Sequence, residues 1–164
     1  IFKKISKRKN FRSLIIRPGV VYGIPNHKKI SRPNLIQHAF LNSLIKGDDI
    51  KIQSSGKQYR NFSLNEDVGK IIFNWMNIEN NKKFTISNTK GKIITVKNYA
   101  QRCSREYEKL TSKKSRIIIL GKNKSQFKRF KIYQQIKFKT NIDKNLKKFI
   151  QTYLKIGLKK GNKL

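Results

Sequence analysis

Few side chains in this sequence stand at spacings that do chemistry. The clearest pairing is Tyr133 with Lys137. At this spacing both groups would share one helix face, but the match reads as a decoy. With 31 lysines and six tyrosines, about one such match is expected by chance. His27 and His38 lie eleven apart with no cysteine or carboxylate cluster at ligand spacing, so no zinc site is expected. Cys103 falls in a helical pattern with no histidine nearby in sequence, which predicts a packed thiol and not a nucleophile. Trp75 reads as core. From Lys113 to Lys163, basic residues interleave with Phe127, Phe130, Tyr133 and Phe138. That pattern could track phosphates and stack bases, and it equally suits lysine-rich terminal helices.

Charge sets the background for these residues. Forty Lys+Arg against eight Asp+Glu give a formal +32 over 164 residues, which attracts polyanions and repels itself. Lys, Asn and Ile number 31, 16 and 24, together 71 residues, against nine Arg and two Ala. All three abundant residues have AT-rich codons, so mutation pressure accounts for much of the charge without any ligand. One cysteine excludes an internal disulfide and suits a reducing cytoplasm. No apolar run reaches the roughly 18 residues of a membrane-spanning helix. Ile1 at the start, Met76 as the sole methionine and a charged first dozen residues suggest a piece of a longer chain without a signal peptide.

The elements that must position any site alternate between strand and helix. Leu14 to Ile16 form an apolar run closed by Arg17-Pro18-Gly19, which suits a buried parallel strand entering a loop that extends to Pro33. From Asn34 the apolar residues Leu35, Ile36, Ala39, Phe40, Leu44 and Ile45 recur at helical spacing, and Gly47 supplies a stop. Ile50 to Ile52 and Tyr59 to Leu64 read as strands around a Ser54-Ser55-Gly56 turn. Asn65 caps a helix carrying Val68, Ile71, Ile72 and Trp75 on one side, and Asp67 helps begin it. Phe84 to Ile86 is a strand, Asn88 to Lys92 a turn, Thr95 the cap of a helix to about Leu110, and Ile117 to Leu120 a last strand. Thr140 with Asp143 opens a basic amphipathic helix with Ile142, Leu146, Phe149, Ile150 and Tyr153 inward. This is an α/β chain, in which binding residues gather beyond the carboxyl ends of strands.

Three segments, in this order, resemble the carboxyl-terminal half of the extended short-chain dehydrogenase/reductases, the superfamily of NAD-dependent nucleotide-sugar epimerases and dehydratases. They are Leu14 to Gly23, Ile50 to Phe62 with Glu66-Asp67-Val68 behind it, and Phe84 to Asn88 with Thr95-Val96. The stretch Ser54 to Phe62 is most similar to enzymes of bacterial surface-polysaccharide synthesis. The resemblance implies the last part of a Rossmann-like doubly wound sheet plus the small α/β substrate-binding domain. Residues 1–30 would end the dinucleotide fold and 31–164 would be mainly substrate domain, with 62–90 returning to the Rossmann sheet and 111–164 forming basic terminal helices. It also implies NAD or NADP as cofactor, a nucleotide-diphosphate sugar as substrate, a homodimer in the full-length enzyme and a cytoplasmic location.

Carried over residue by residue, the resemblance sets Pro18 and Gly19 beside the cofactor. Proline fixes φ and lacks an amide hydrogen while glycine permits close backbone approach, so the pair can form a tight wall at a strand end. Val20 stands where many members have an asparagine touching the substrate phosphate. Asn34 and Leu35 stand at the nucleotide-contacting helix start, or Leu35 is plain core; Lys51 and Gln53 stand beside the base. Arg60 matches the arginine that grips the diphosphate, a task suited to a planar fork of donors that stays charged. Asn61 replaces the usual aspartate. No catalytic residue is assigned. The nine glycines never form the family's glycine-rich turn, and Tyr133 to Lys137 follows the arginine segment, whereas the family's pair precedes residue 13. Hydride transfer by this chain alone is therefore not expected. The alternative is a basic nucleic-acid or anionic-surface binding module on a degenerate fold.

Overall fold

The apolar run at Leu14 to Ile16 is β-branched at two of its three positions, which favours an extended, flanked strand over a helix. The computed structural model describes residues 2–5, 11–23, 34–77, 83–89, 91–122 and 142–161. A single helical turn, α1 (Phe2–Ile5), precedes β1 (Ser13–Arg17). Strand β2 (Val20–Tyr22) follows after only Pro18 and Gly19. Helix α2 (Ile36–Ile45), β3 (Ile50–Ile52), β4 (Tyr59–Leu64) and α3 (Asn65–Asn77) come next. Then come β5 (Phe84–Asn88), β6 (Lys92–Thr95), α4 (Val96–Thr111), β7 (Ile117–Ile119) and α5 (Ile142–Gly161).

Three small sheets result. β1 pairs in parallel with β5, Leu14 opposite Thr85; β2 pairs in parallel with β4, Val20 opposite Phe62; β3 pairs in parallel with β7, Lys51 opposite Ile118. β6 closes the second sheet antiparallel to β4, Arg60 opposite Ile94. Among the described residues this is mixed α/β architecture with parallel pairing in every sheet, consistent with part of a Rossmann-like fold.

Helices α2, α4 and α5 enclose the core. Phe62 stacks on Tyr99 with ring centroids 4.1 Å apart, and Leu41, Leu44, Ile50, Cys103, Leu146, Phe149 and Ile150 fill the space around them. Leu146, Phe149, Ile150 and Tyr153 of α5 are buried as their spacing predicts, while Thr140 and the Ile142 side chain lie outside the described residues. Cys103 is fully buried, and burial pushes its thiol up to about 12, which makes it a packing group and not a nucleophile. Trp75 is half-buried, with the Arg12 guanidinium over its ring at 4.8 Å.

Local chemistry sets the boundaries. Gly47, at φ 76°, ends α2 in a Schellman motif: its amide donates to the Leu44 carbonyl and the Asp48 amide to that of Ser43. The Thr95 hydroxyl accepts from the Asn98 amide at 3.1 Å and starts α4. Asp67 accepts from the Leu64 amide at 3.1 Å, the helix-starting role expected of it. Three expectations are corrected. The loop assigned after Gly19 contains β2, because Val20 to Tyr22 finds a partner in β4 that three residues cannot announce; its continuation to Pro33 lies outside the described residues. Part of the turn assigned to Asn88 to Lys92 is strand, since Lys92 opens β6. On α3, Ile72 is 41% exposed, beside exposed Phe73 and Met76. Drawing the Asp67 carboxylate inward turns the buried stripe onto Asp67 and Ile71, one step from the apolar face the sequence offers.

Candidate functional site

β1 and β5 run in parallel and end together at Arg17 and Asn88, so the residues just past them, Pro18, Gly19 and Thr89, share one sheet edge. Pro18 and Gly19 are exposed to solvent on one side. On the other, Gly19 is pressed on β4: a Cβ there would lie 2.1 Å from the Asn61 carbonyl oxygen, so no larger residue fits without moving the strand. Its amide donates to the Thr89 hydroxyl at 3.3 Å. Thr89, wholly buried, also places that hydroxyl 2.8 Å from Ser63 Oγ and accepts from Asn61 Nδ2 at its carbonyl, 2.7 Å away. Gly91 is held as tightly, with the Phe62 carbonyl oxygen 1.9 Å from where a Cβ would sit.

Period-two alternation along β4 sends Asn61 and Ser63 to the β1–β5 edge and Arg60, Phe62 and Leu64 to the other face. All of these are buried except Arg60, which is exposed because it lies near the open start of the strand. Its Nη1 donates to the Tyr59 carbonyl at 2.9 Å, which leaves most of the guanidinium's donors facing solvent. The structure thus places Val20 and Arg60 on the adjoining strands β2 and β4, with Pro18 and Gly19 in the connection that leads into β2. Val20 is half-buried in register with Phe62.

The other sequence candidates lie on separate elements. Leu35 is the N-cap of α2 and its carbonyl accepts the His38 and Ala39 amides; its side chain is 43% exposed, not core. Asn34 is exposed beside it. Gln37 Nε2 donates to the Val21 carbonyl at 3.1 Å and so fastens this helix start to β2. Lys51 points outward from β3 between buried Ile50 and Ile52, and Gln53 is exposed just past that strand. No hydrogen bond among the described residues links Lys51 or Gln53 to Arg60. His27 and the Tyr133–Lys137 pair lie outside the described residues, as do the aromatic residues of the basic tail.

A shallow cleft opens past the carboxyl ends of the parallel strands β2 and β4, where Tyr22, Gly23, Asn65 and Glu66 meet Lys148 and Phe149 of α5. Arg60 sits at the opposite end of β4, four residues and roughly 13 Å away at strand rise. Among the described residues the cleft and the arginine do not coincide. Sequence reasoning did not find Thr89 as the hub of the strand-end cluster. Its one signal is the alternation Thr85, Ser87, Thr89, which places three hydroxyls on a single face of β5, and all three are buried.

No known family description and no curated protein matches the sequence. Solved structures do match. UDP-glucose 4-epimerase from Thermotoga maritima, solved with UDP-glucose, superposes with a TM-score of 0.70 at 14% identity, covering 93% of this chain and 49% of that one. UDP-N-acetylglucosamine 4-epimerase from Methanobrevibacter ruminantium M1, in complex with UDP-N-acetylmuramic acid, gives 0.69 at 17% identity with the same coverage. UDP-glucuronic acid 4-epimerase from Bacillus cereus, solved with UDP-glucuronic acid and NAD, gives 0.66 at 16% identity and covers 87% and 45%. The chain therefore shares the fold of these nucleotide-sugar epimerases, and it spans about half the length of the structures it matches.

Proposed function

We propose that this chain is the substrate-binding portion of an NAD(P)-dependent nucleotide-sugar epimerase, dehydratase or reductase, with Arg60 holding the substrate diphosphate. The carrying observation is the position of Arg60: a guanidinium with solvent-facing donors, one residue from the Asn61 backbone on which the Pro18–Gly19 strand-end turn rests. A planar fork of donors, always charged, meets two phosphate oxygens at once. Exposed backbone at Pro18 and Gly19 fits a flat ring laid against a strand end, and these are the residues of this chain that would border a nicotinamide. When bound, a nicotinamide dinucleotide takes and returns a hydride at a sugar carbon. This chain's own part is to hold and orient the sugar nucleotide. Arg60 fixes the diphosphate, Val20 leaves an apolar wall where a donor would otherwise reach the phosphate, Asn34 and Leu35 offer the amides of a helix start, and Lys51 and Gln53 flank the base.

The likeness of Ser54 to Phe62 to polysaccharide enzymes extends the proposal to surface-polysaccharide precursors, the single free thiol suits a reducing cytoplasm, and the homodimer rests on the family resemblance alone. In the full-length protein, calorimetric titration of UDP-glucose and of NAD tests the core of the reading. Arg60→Ala should weaken UDP-glucose binding about tenfold or more, the worth of a charge-assisted hydrogen bond, and leave NAD binding within about twofold. Equal loss for both ligands, or no loss for either, rejects the assignment.

A further inference from the structure

Three chain segments meet at one buried hydroxyl. Thr89 follows β5, yet its contacts are to the turn after β1 and to β4: Gly19 N–H at 3.3 Å, Ser63 Oγ at 2.8 Å and Asn61 Nδ2 at 2.7 Å. The arrangement uses every polar atom of Thr89 beyond its own amide. With Gly19 donating into Oγ1, the hydroxyl hydrogen is free to be given to Ser63, while the carbonyl takes the Asn61 amide. That carbonyl accepts only, which is why position 61 must donate: an asparagine side chain does so, whereas an ionised aspartate would set a second acceptor against it. Asn61 closes the circuit from the other side, since its backbone carbonyl is the surface on which Gly19 rests.

We infer that Thr89 is a positioning residue, setting the spacing between the Pro18–Gly19 turn and Arg60 without touching either ligand. The inference rests on the reading of Arg60 as the diphosphate grip. Asn61, clamped at both side chain and backbone, fixes the rotation of β4 and thereby the direction in which its exposed neighbour leaves the strand. A group pinned on one element to another holds geometry that neither holds alone, and a displacement of about 1 Å at such a site costs binding and rate out of proportion to its size.

The test uses the full chain with two measurements, UDP-glucose titration and ligand-free amide hydrogen exchange at Gly19. Thr89→Val keeps the shape and removes the hydroxyl. It should weaken UDP-glucose about tenfold and speed Gly19 exchange about tenfold relative to Phe62, as loss of one buried hydrogen bond predicts. Thr89→Ser should restore both. Thr85→Val, at an equally buried hydroxyl on the same strand face, should change neither. Should Thr89→Val not fold, Ser63→Ala removes one arm of the hub and should move both readouts in the same direction by less. Unchanged Gly19 exchange in the hub variant overturns the inference, as does unchanged UDP-glucose binding where Arg60→Ala abolishes it. If Arg60→Ala leaves binding unchanged while Gly19 exchange quickens, the diphosphate reading falls and Thr89 is left as a strand fastener only. A wild-type chain that binds no UDP-glucose overturns both.

Discussion

At the scale of single residues, the buried hydroxyls of β5 are the sharpest test of the packing. Thr85 is 2% exposed and its Oγ1 has no hydrogen-bond partner among the described residues. An unmet buried hydroxyl costs more than the matching methyl, and valine is also the better strand former. Thr85→Val should therefore stabilise the fold by about 1 kcal/mol, read as a higher urea midpoint at unchanged slope. Gly19→Ala should do the reverse. Its methyl would overlap the Asn61 carbonyl, and with the amide of the same residue tied to Thr89 the backbone has no direction in which to yield. A loss of about 3 kcal/mol or failure to accumulate folded protein is expected. A loss under about 1 kcal/mol would mean that the turn and β4 are less firmly apposed than they are drawn.

Among elements, α5 depends on a polar contact inside an apolar seam. His38 Nδ1 of α2 hydrogen-bonds the Tyr153 hydroxyl, the two rings stack with centroids 5.8 Å apart, and Phe149 meets Tyr153 edge-on at 5.0 Å. Burial lowers the His38 pKa from its ordinary 6.5, and burial likewise pushes the Tyr153 phenol up, so both groups are held neutral. A histidine whose folded pKa lies below its unfolded value binds its proton more weakly when folded. Its contribution is whole above pH 6.5 and declines as pH falls below that value. Urea midpoints at pH 7.5 and pH 5.5 should differ accordingly in the wild type, and His38→Gln should remove that part of the difference. The C-terminus of α4 offers a second test. Ser112 closes it at φ 57°, where glycine is at ease, so Ser112→Gly should raise the thermal midpoint by the equivalent of about 0.5–1 kcal/mol. Elements announced by long periodic runs were legible in advance: α5 keeps the inward face its spacing gave it, α2 buries Phe40 and Leu44 but leaves Leu35 exposed, and Thr95 and Gly47 end up at the boundaries they marked. What stayed hidden depends on contacts distant in sequence. Three-residue β2 exists through β4, β6 begins on the last residue of an apparent turn, and Asp67 rotates α3 away from its apolar stripe. At the site, Arg60 could be picked out by its neighbours in the chain, whereas Thr89 acquires its role only when β5 is laid beside β1.

For the molecule as a whole, charge and architecture pull apart. A formal +32, forty basic against eight acidic residues, leaves most cations without an acidic partner. Asp49 is an exception: the Arg116 amide and guanidinium, at 3.1 and 3.0 Å, hold its carboxyl below the usual range and join the starts of β3 and β7. Screening of the excess should help folding, so the melting temperature should rise between about 20 and 200 mM sodium chloride as the Debye length shortens. A polyanion-binding module would show the opposite trend for its ligand, with DNA affinity collapsing over the same range while UDP-glucose affinity barely moves. Among the described residues β1 is hydrogen-bonded along one side only, by β5, and its Leu14-Ile15-Ile16 segment is uncharged and partly uncovered. Amides and carbonyls beside such a segment can take up a further strand, whether from the rest of a longer chain or from another molecule. Mutual repulsion between copies opposes the second outcome whatever the origin of the charge, so the lysine excess should act as a colloidal stabiliser. The same salt that firms each molecule should, at high protein concentration, let turbidity develop.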